Sequence, residues 1–225
     1  MKHAVPRLIA AGVLLAAFLI LGALVSGSPP GGLDRAAEAL TNHGVKLALF
    51  FTGAGRFAIF AVLCALLLLF GVVRRPVLVP AAVAVGALLV AWKVSDILKD
   101  AFHRTRPTDW VRIHETSFSY ASGHATLALT FYGLLAYTLW RALPASPARS
   151  AVPVVAAVWI LATGWSRLAL GAHFATDVLG GYLLGGSLLL VATVALDRLW
   201  PHPRSATSVS GNRAREVLVS RGAAP

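Results

Sequence analysis

Six apolar segments run along this 225-residue chain and limit the folds that are open to it. They cover residues 8–26, 57–73, 77–98, 124–140, 151–165 and 176–196. A helix that crosses the hydrocarbon core of a bilayer needs about 20 residues. The first, third and sixth segments meet that length, and the other three do so if flanking residues such as Trp140 and Arg141 reach the interface. The sequence therefore predicts an all-α protein, an integral membrane bundle of six transmembrane helices within residues 1–200.

Composition agrees with a lipid environment. Hydrophobic residues make up 57% of the chain and charged residues 13%, whereas soluble domains carry about 25% charged residues. The formal net charge of +11 does not indicate nucleic acid, because the basic residues are scattered between apolar segments without interleaved aromatic residues. Anionic lipid headgroups are the expected counter-charge. The single cysteine, Cys64, excludes an internal disulfide and does not indicate a redox compartment.

The ends of the chain and the first connection complete the predicted topology. The first segment resembles a signal peptide, but its apolar run is too long and no A-x-A site follows, so we expect a retained helix. More basic residues fall on the N-terminal side of the bundle, which predicts cytoplasmic termini in the cell (inner or plasma) membrane. Residues 33–40 predict a short interfacial helix between the first two spans, or a plain connecting helix. Residues 201–225 predict a disordered, basic cytoplasmic tail.

Three clusters of polar residues fall on the predicted outer side of the membrane. They run from Lys99 to Pro107, from Ala121 to His124 and from Ser166 to Asp177. Lys99, Arg106 and Arg167 supply three cations, and the arginine fork suits bidentate contact with phosphate. Charges near a membrane are costly unless they are paired or hydrated, so their grouping indicates a functional site. The clusters together predict a phosphate site on the outer face.

The second cluster contributes a helix start and the third a histidine with a carboxylate partner. Ser122 and Gly123 stand where the fourth segment begins, with Ser122 as its N-cap and backbone N–H groups directed at an anion. His173 and Asp177 are four residues apart, so one helical turn would place them on the same face. Asp177 can then hold one ring nitrogen of His173 and leave the other as nucleophile or base. His124 can protonate a leaving alkoxide.

Each of these features has a plainer interpretation. A histidine at a helix end is commonly structural, and the His173–Asp177 pair can simply stabilise the sixth helix. Two histidines and an aspartate can also bind zinc, although three neighbouring cations would repel a divalent metal. Arginines beside membrane helices often serve as topology signals. The position of all three clusters on one side favours the functional interpretation, with no metal.

The clusters resemble the three-part signature of the type 2 phosphatidic acid phosphatase superfamily, which reads K-x6-R-P, P-S-G-H and S-R-x5-H-x3-D. Lys99 to Pro107 and Ser166 to Asp177 match the first and third parts in full. The second part departs at Ala121, where the family has proline, and we expect a looser entry into the helix there. The motifs span 99–177, and the six-helix layout resembles the same family.

The resemblance implies a metal-independent phosphatase that works through a phosphohistidine and needs no cofactor. His173 would be the nucleophile, Asp177 its orienting partner and His124 the proton donor. The phosphate would be held by five residues: Lys99, Arg106, Arg167, Ser122 and Gly123. The implied partners are a phosphorylated lipid and the bilayer, with no nucleic acid and no obligatory protein.

The sequence does not choose among undecaprenyl diphosphate, phosphatidylglycerophosphate and phosphatidic acid as substrate. The loop 108–121, which is predicted to flank the headgroup, includes Trp110, Arg112, His114, Glu115 and Tyr120. Two other classes are the alternatives. Soluble vanadium-dependent haloperoxidases carry the same signature, but the membrane-length segments disfavour them. A membrane channel, or a lipid-binding relative that has lost activity, is disfavoured by the presence of every charged catalytic position.

Overall fold

The computed structural model describes residues 4–108, 113 and 115–200, and throughout these the regular structure is helical. Eight α-helices follow one another: α1 Ala4–Val25, α2 Gly32–Glu38, α3 Val45–Ala54, α4 Phe57–Val73, α5 Leu78–Phe102, α6 Gly123–Ala142, α7 Pro147–Ala169 and α8 Ala175–Leu199. A short 3-10 turn, Arg75–Val77, leads into α5. Each of the six apolar segments forms a helix, so the all-α prediction is confirmed.

The described helices provide fewer candidate membrane spans than the six that the sequence predicts. Within the described residues four helical stretches are long and apolar enough to cross a membrane: Ala4–Val25, Arg75–Phe102, Pro147–Ala169 and Ala175–Leu199. A fifth candidate is the pair of α3 and α4, which bends by 46° at Gly55 and Arg56. Helix α6 is not among them; it carries polar residues such as Thr126 and Thr130, which are fully buried within the bundle. The structure thus supports four or five spans, and the count of six stays a prediction.

Helices α6 and α8 form the centre of the bundle, with α1, α5 and α7 packed around them. Their close approach depends on two glycines of α8. A Cβ on Gly181 would lie 2.6 Å from the carbonyl oxygen of Ser122, and one on Gly185 would lie 2.8 Å from that of Thr126. Small residues let the backbones of packed helices approach in this way. The contact holds the start of α6 against the start of α8.

A band of apolar side chains faces outward around this centre. On α1 the large side chains with more than 60% exposure are Val5, Ile9, Val13, Ile20 and Leu24. On α7 they are Val154, Val155, Val158 and Leu161. Soluble monomers rarely expose continuous apolar patches of this size. The band is therefore the surface that lipid covers.

The two ends of the bundle carry different polar groups. One end brings together the last turns of α5 and α7 and the first turns of α6 and α8, which is where all three sequence motifs lie. At the other end Arg7 and Arg141 both pair with Asp197, at 2.8 and 2.5 Å. The motif end is covered by α2 and α3. The predicted tail at 201–225 lies outside the described residues.

The connection between the first two long helices is more ordered than its sequence suggests. The predicted short helix forms as α2, and its Asp34 is 2% exposed and faces the bundle. Helix α3 was not predicted: its ten residues, 45–54, are too few to span a membrane, and Gly55 and Arg56 separate them from the apolar segment of α4. It packs on α7 through Ala48, Ala169 and Leu170. An interfacial position for α2 stays a prediction.

Candidate active site

His173 and Asp177 lie beside each other at the start of α8, although not on one helical turn as predicted. His173 precedes the helix in the turn after α7, whereas Asp177 lies in the first turn of α8. The Nδ1 of His173 is 3.5 Å from the Oδ2 of Asp177. That oxygen also accepts a 2.8 Å hydrogen bond from the backbone N–H of Phe174. Asp177 therefore both caps the helix and faces the imidazole.

Ser119 joins this pair, and sequence reasoning missed it. Its hydroxyl donates to the Oδ2 of Asp177 at 2.5 Å and lies 3.4 Å from the Nδ1 of His173. Ser119 is fully buried and precedes the second motif by two residues. Its position outside the signature leaves no sequence signal that could have identified it. The contacts assign the Nδ1 side of the ring to the carboxylate and leave Nε2 facing the opposite way.

Arg106 lies on the Nε2 side of His173. Its NH1 is 3.2 Å from Nε2 and donates to the carbonyl oxygen of Ala172 at 2.6 Å. Its Nε donates to the carbonyl oxygen of Ser117 at 2.6 Å, and NH2 contacts the Ser117 hydroxyl and the Phe118 carbonyl oxygen. Because an arginine can only donate, the Nε2 of His173 is the acceptor in their contact. The ring is then protonated on Nδ1 and carries its lone pair on Nε2.

Lys99 approaches the same place from the last turn of α5. Its Nζ donates to the hydroxyl of Ser117 at 3.2 Å, so Lys99 and Arg106 share one serine. A Cβ built on Gly123 would lie 3.8 Å from this Nζ and 3.6 Å from the Oγ of Ser95. The space beside the first residue of α6 is thus bordered by the Lys99 ammonium.

Arg167 completes the set of cations and is fully buried at the end of α7. Its NH1 donates to the hydroxyl of Thr52 at 3.3 Å, and its NH2 to the carboxylate of Glu115 at 2.6 Å. Burial alone would raise the pKa of Glu115, but the charge and hydrogen bond of Arg167, with Arg106 and Lys99, hold that pKa below its ordinary value of 4.5. Thr52, on α3, is a further contact that the sequence did not indicate.

Several buried polar atoms around this space have no hydrogen-bond partner among the described residues. They are the Oγ of Ser95, the Oγ of Ser122, the Nε2 of His124 and the Nε of Arg167. Ser122 is the N-cap residue of α6, as predicted, but its side chain makes no capping bond. Buried polar groups normally find partners, so such a group of exceptions needs an explanation. These atoms border a place built for a polar ligand.

His124 occupies the first turn of α6, within electrostatic range of Arg167, His173 and Lys99. Its ring packs against the bend between α3 and α4, where a Cβ on Gly55 would lie 2.9 Å from its Cδ2. The preceding Ala121 is 1% exposed and packs with Phe18 and Tyr120. The entry into α6 is thus held by apolar packing.

The electrostatics favour a neutral imidazole at His173. Burial, followed by the positive charges of Arg106, Arg167 and Lys99, holds its pKa well below the ordinary value of 6.5. A neutral imidazole with a buried carboxylate on one side and a lone pair on the other is suited to nucleophilic attack. Three surrounding cations would stabilise negative charge that develops on the group attacked.

Tyr120 does not flank a headgroup as predicted. It is fully buried, donates to the carbonyl oxygen of Phe18 at 2.6 Å and stacks on the Phe18 ring at 5.2 Å. Burial raises its pKa, so the hydroxyl stays protonated. From the same predicted loop Glu115 does face the site, while Trp110, Arg112 and His114 lie outside the described residues.

The structure therefore brings the predicted site residues together at one end of the bundle. Six of them border one space, namely His173, His124, Lys99, Arg106, Arg167 and Ser122, and Asp177 lies on the opposite side of the His173 ring. Gly123 lies against Lys99. In the described part of the chain no group of three or more His, Cys, Asp or Glu side chains is placed to hold a metal ion.

Comparison with known proteins places this chain in a family. Residues 77–201, more than half of the chain, match the PAP2 superfamily. Phosphatidylglycerophosphatase B of Bacillus subtilis (strain 168) is 42% identical over 93 residues, which are 41% of this chain and 46% of that protein. The match thus spans just under half of that relative.

A solved structure agrees over most of the fold. The crystal structure of a transmembrane PAP2-type phosphatidylglycerolphosphate phosphatase from Bacillus subtilis superimposes with a TM-score of 0.75 at 26% sequence identity. The superposition covers 86% of this chain and 98% of that one. With its three motifs gathered at one end of a helical membrane bundle, this chain belongs to the PAP2 superfamily.

Proposed function

We propose that this protein is a membrane lipid phosphatase that hydrolyses phosphatidylglycerophosphate through a phosphohistidine intermediate, without a metal. One observation carries the proposal. The Nε2 of His173 faces Arg106 at 3.2 Å, beside a space bordered by Lys99, Arg167 and unpaired buried polar atoms. A phosphate group would supply the missing partners, since its oxygens accept hydrogen bonds from guanidinium, ammonium and backbone N–H groups.

In the first step the Nε2 lone pair of His173 attacks phosphorus and the bond from phosphorus to the lipid oxygen breaks. The imidazole gains positive charge, which Asp177 stabilises through Nδ1. His124 donates a proton to the departing lipid oxygen, so that the lipid leaves as an alcohol. Lys99, Arg106 and Arg167 stabilise the charge on the remaining phosphate oxygens, a role that positioning and electrostatics can fill.

In the second step water attacks the phosphorus of the phosphohistidine and the bond from phosphorus to Nε2 breaks. His124 is now deprotonated and accepts a proton from that water. Inorganic phosphate leaves, and both histidines return to their starting states. Each proton and electron pair is accounted for by two histidines and one water, so the proposed cycle needs neither a metal nor a cofactor.

The choice of lipid rests on the named relatives. The Bacillus relative and the Bacillus crystal structure are both named for phosphatidylglycerophosphate, and the outward apolar band would present the site to a substrate within the bilayer. We place undecaprenyl diphosphate and phosphatidic acid second. A diphosphate would bring an additional anionic group to the space bordered by Lys99, Arg106 and Arg167, where Glu115 contributes a competing negative charge.

The decisive experiment is phosphate release by the purified protein in detergent with EDTA present. Phosphatidylglycerophosphate, phosphatidic acid and undecaprenyl diphosphate are compared by kcat/KM, with His173→Ala as the control variant. We expect the highest kcat/KM on phosphatidylglycerophosphate, full activity in EDTA and none in His173→Ala. Turnover by His173→Ala would refute the assignment of His173 as the nucleophile, and loss of activity in EDTA would refute metal independence. A higher kcat/KM on either of the other two lipids would refute phosphatidylglycerophosphate as the preferred substrate.

We also propose six spans with both termini in the cytoplasm, supported by the position of Arg7 and Arg141 at the end opposite the motifs. Cysteines placed at Ser28 and Ala145, both exposed and at opposite ends of the bundle, test this in a Cys64→Ser background. A membrane-impermeant maleimide applied to intact cells should label position 28 only. Labelling of position 145 alone would show that the protein has the opposite orientation in the membrane.

A further inference from the structure

A buried polar network joins α2 to the catalytic carboxylate through Arg104, which lies between the two signature cations of the first motif. Its NH2 donates to the Oδ2 of Asp34 at 2.8 Å, and its NH1 to the Oδ1 of Asp177 at 2.5 Å. The side chains of Arg104, Asp34 and Asp177 are 4%, 1% and 0% exposed. One guanidinium thus bridges two carboxylates that water does not reach.

Thr176 closes the network on the α8 side. Its backbone N–H donates to the Oδ1 of Asp34 at 2.9 Å, and its hydroxyl oxygen lies 2.6 Å from the NH1 of Arg104. Asp34 therefore receives partners on both oxygens, one from Arg104 and one from the start of α8. Because Asp34 belongs to α2, the first connection of the chain is fastened directly to the helix that carries Asp177.

The two oxygens of Asp177 have separate partners. Oδ1 accepts from Arg104, whereas Oδ2 accepts from Ser119 and from the N–H of Phe174 and faces His173. Arg104 thus contacts the oxygen that is turned away from the nucleophile. A fully buried carboxylate without a neighbouring cation is neutralised by a proton rather than left charged, and a protonated Asp177 would no longer hold the Nδ1–H of His173.

We propose that Arg104 is a positioning residue, which keeps Asp177 ionised with Oδ2 directed at His173, and that Asp34 of α2 holds Arg104 in place. This inference rests on the proposed phosphohistidine function. The alternative is an ion pair that only attaches α2 to the bundle. The two roles predict different effects on the ionisation of Asp177. A purely structural ion pair affects the stability of the protein and leaves the protonation of Asp177 unchanged.

Among the described residues, the charged and titratable groups that face Asp177 come from two segments. The connection between α5 and α6 contributes Arg104 in direct contact, with Arg106 and Tyr120 within electrostatic range. The turn before α8 contributes His173. In Arg104→Gln no cation of the described residues remains in direct contact with Asp177, so acid should protonate Asp177 over a pH range in which the unmodified protein keeps it ionised.

The test compares the pH dependence of kcat for the unmodified protein, Arg104→Gln, Arg104→Lys and Asp34→Asn on the same lipid. For Arg104→Gln we expect kcat at pH 6 to fall by about tenfold or more, with recovery at higher pH and KM changed by less than about twofold. Arg104→Lys should keep the original profile, since an ammonium can still pair with Asp177. A profile for Arg104→Gln that parallels the unmodified protein, with only a lower Tm, would overturn the inference.

A second measurement does not depend on turnover and separates this inference from the proposed function. Nitrogen-15 NMR of histidine-labelled protein reports the tautomer of His173, assigned by comparison with His173→Asn. We expect the Nδ1–H tautomer in the unmodified protein and its loss in Arg104→Gln. If Arg104→Gln does not fold, Asp34→Asn takes its place, because it leaves all side chains near their native size. We expect a partial loss of the Nδ1–H tautomer in that variant. Retention of the tautomer in both variants rejects the role of Arg104, whereas absence of phosphate release by the unmodified protein rejects only the function.

Discussion

Replacing Gly123 with alanine adds one methyl group at the first position of α6, beside the Nζ of Lys99. The added Cβ would lie 3.6 Å from the Oγ of Ser95 and 3.8 Å from that Nζ, which are ordinary van der Waals distances. The backbone of Gly123 is helical and lies outside the left-handed region. The folded protein without ligand therefore accepts the methyl group.

The expected effects on stability and activity have opposite signs. Alanine at a compatible position restricts the unfolded chain and stabilises a protein by about 0.4–1 kcal/mol. In the proposed function, however, the phosphate contacts both the Lys99 ammonium and the Gly123 N–H, and the added methyl group would occupy space beside that ammonium. Forcing an extra methyl into an occupied space costs about 1–3 kcal/mol, which corresponds to a loss of about 5-fold to about 150-fold in kcat/KM.

The assay measures kcat/KM on phosphatidylglycerophosphate and Tm in detergent for the same preparations. Gly86→Ala in α5 is the matched control, because its Cβ would meet nothing within 4 Å and Gly86 lies outside the site. We expect both variants to keep or raise Tm and only Gly123→Ala to lose activity. An unchanged kcat/KM in Gly123→Ala would show that the phosphate does not occupy the space beside Lys99.

Three further predictions follow from the same contacts. Ser119→Ala removes the 2.5 Å hydrogen bond to Asp177. Since a hydrogen bond to a charged group contributes about 1.5–3 kcal/mol, kcat should fall by at least about tenfold. An unaltered kcat would contradict the assigned contact. Gly181→Ala places a Cβ 2.6 Å from the backbone oxygen of Ser122, so the two central helices must separate and Tm should drop, whereas an unchanged Tm would argue against this packing. His173 should titrate well below its ordinary value of 6.5, which means that its nitrogen-15 signals stay those of a neutral ring as the pH falls through 6.5; a midpoint at or above 6.5 would refute the burial described.

The residues of the three motifs were predictable because their chemistry is carried by side-chain type and spacing. Lys99 and Arg106 are seven residues apart and converge on Ser117, and the spacing of His173 and Asp177 brings them within 3.5 Å. The reason given for the latter pair was wrong, however. His173 precedes the helix, and the contact arises because Asp177 folds back over the helix start to cap it.

Other members of the site could not be predicted because their roles depend on contacts between distant segments. Thr52 reaches Arg167 across 115 positions of sequence, and Asp34 reaches Arg104 across 70. Neither residue lies in a motif, and each belongs to a connection that sequence patterns describe poorly. Tyr120 shows the opposite error, since a polar residue in a loop looked exposed and is instead buried against Phe18.

By itself the sequence indicated that the protein is helical and suited to lipid, and it predicted which side chains would bind and attack a phosphate. Those properties follow from local composition and spacing, which hold in any packing of the helices. Only the tertiary structure decided which nitrogen of His173 is held by Asp177 and which faces Arg106. It also decided that α2 reaches the site through Arg104. The physical reason is that the direction in which a side chain points, and its burial, are set where helices pack together. The close contact of α6 and α8 at Gly181 fixes this packing at the site.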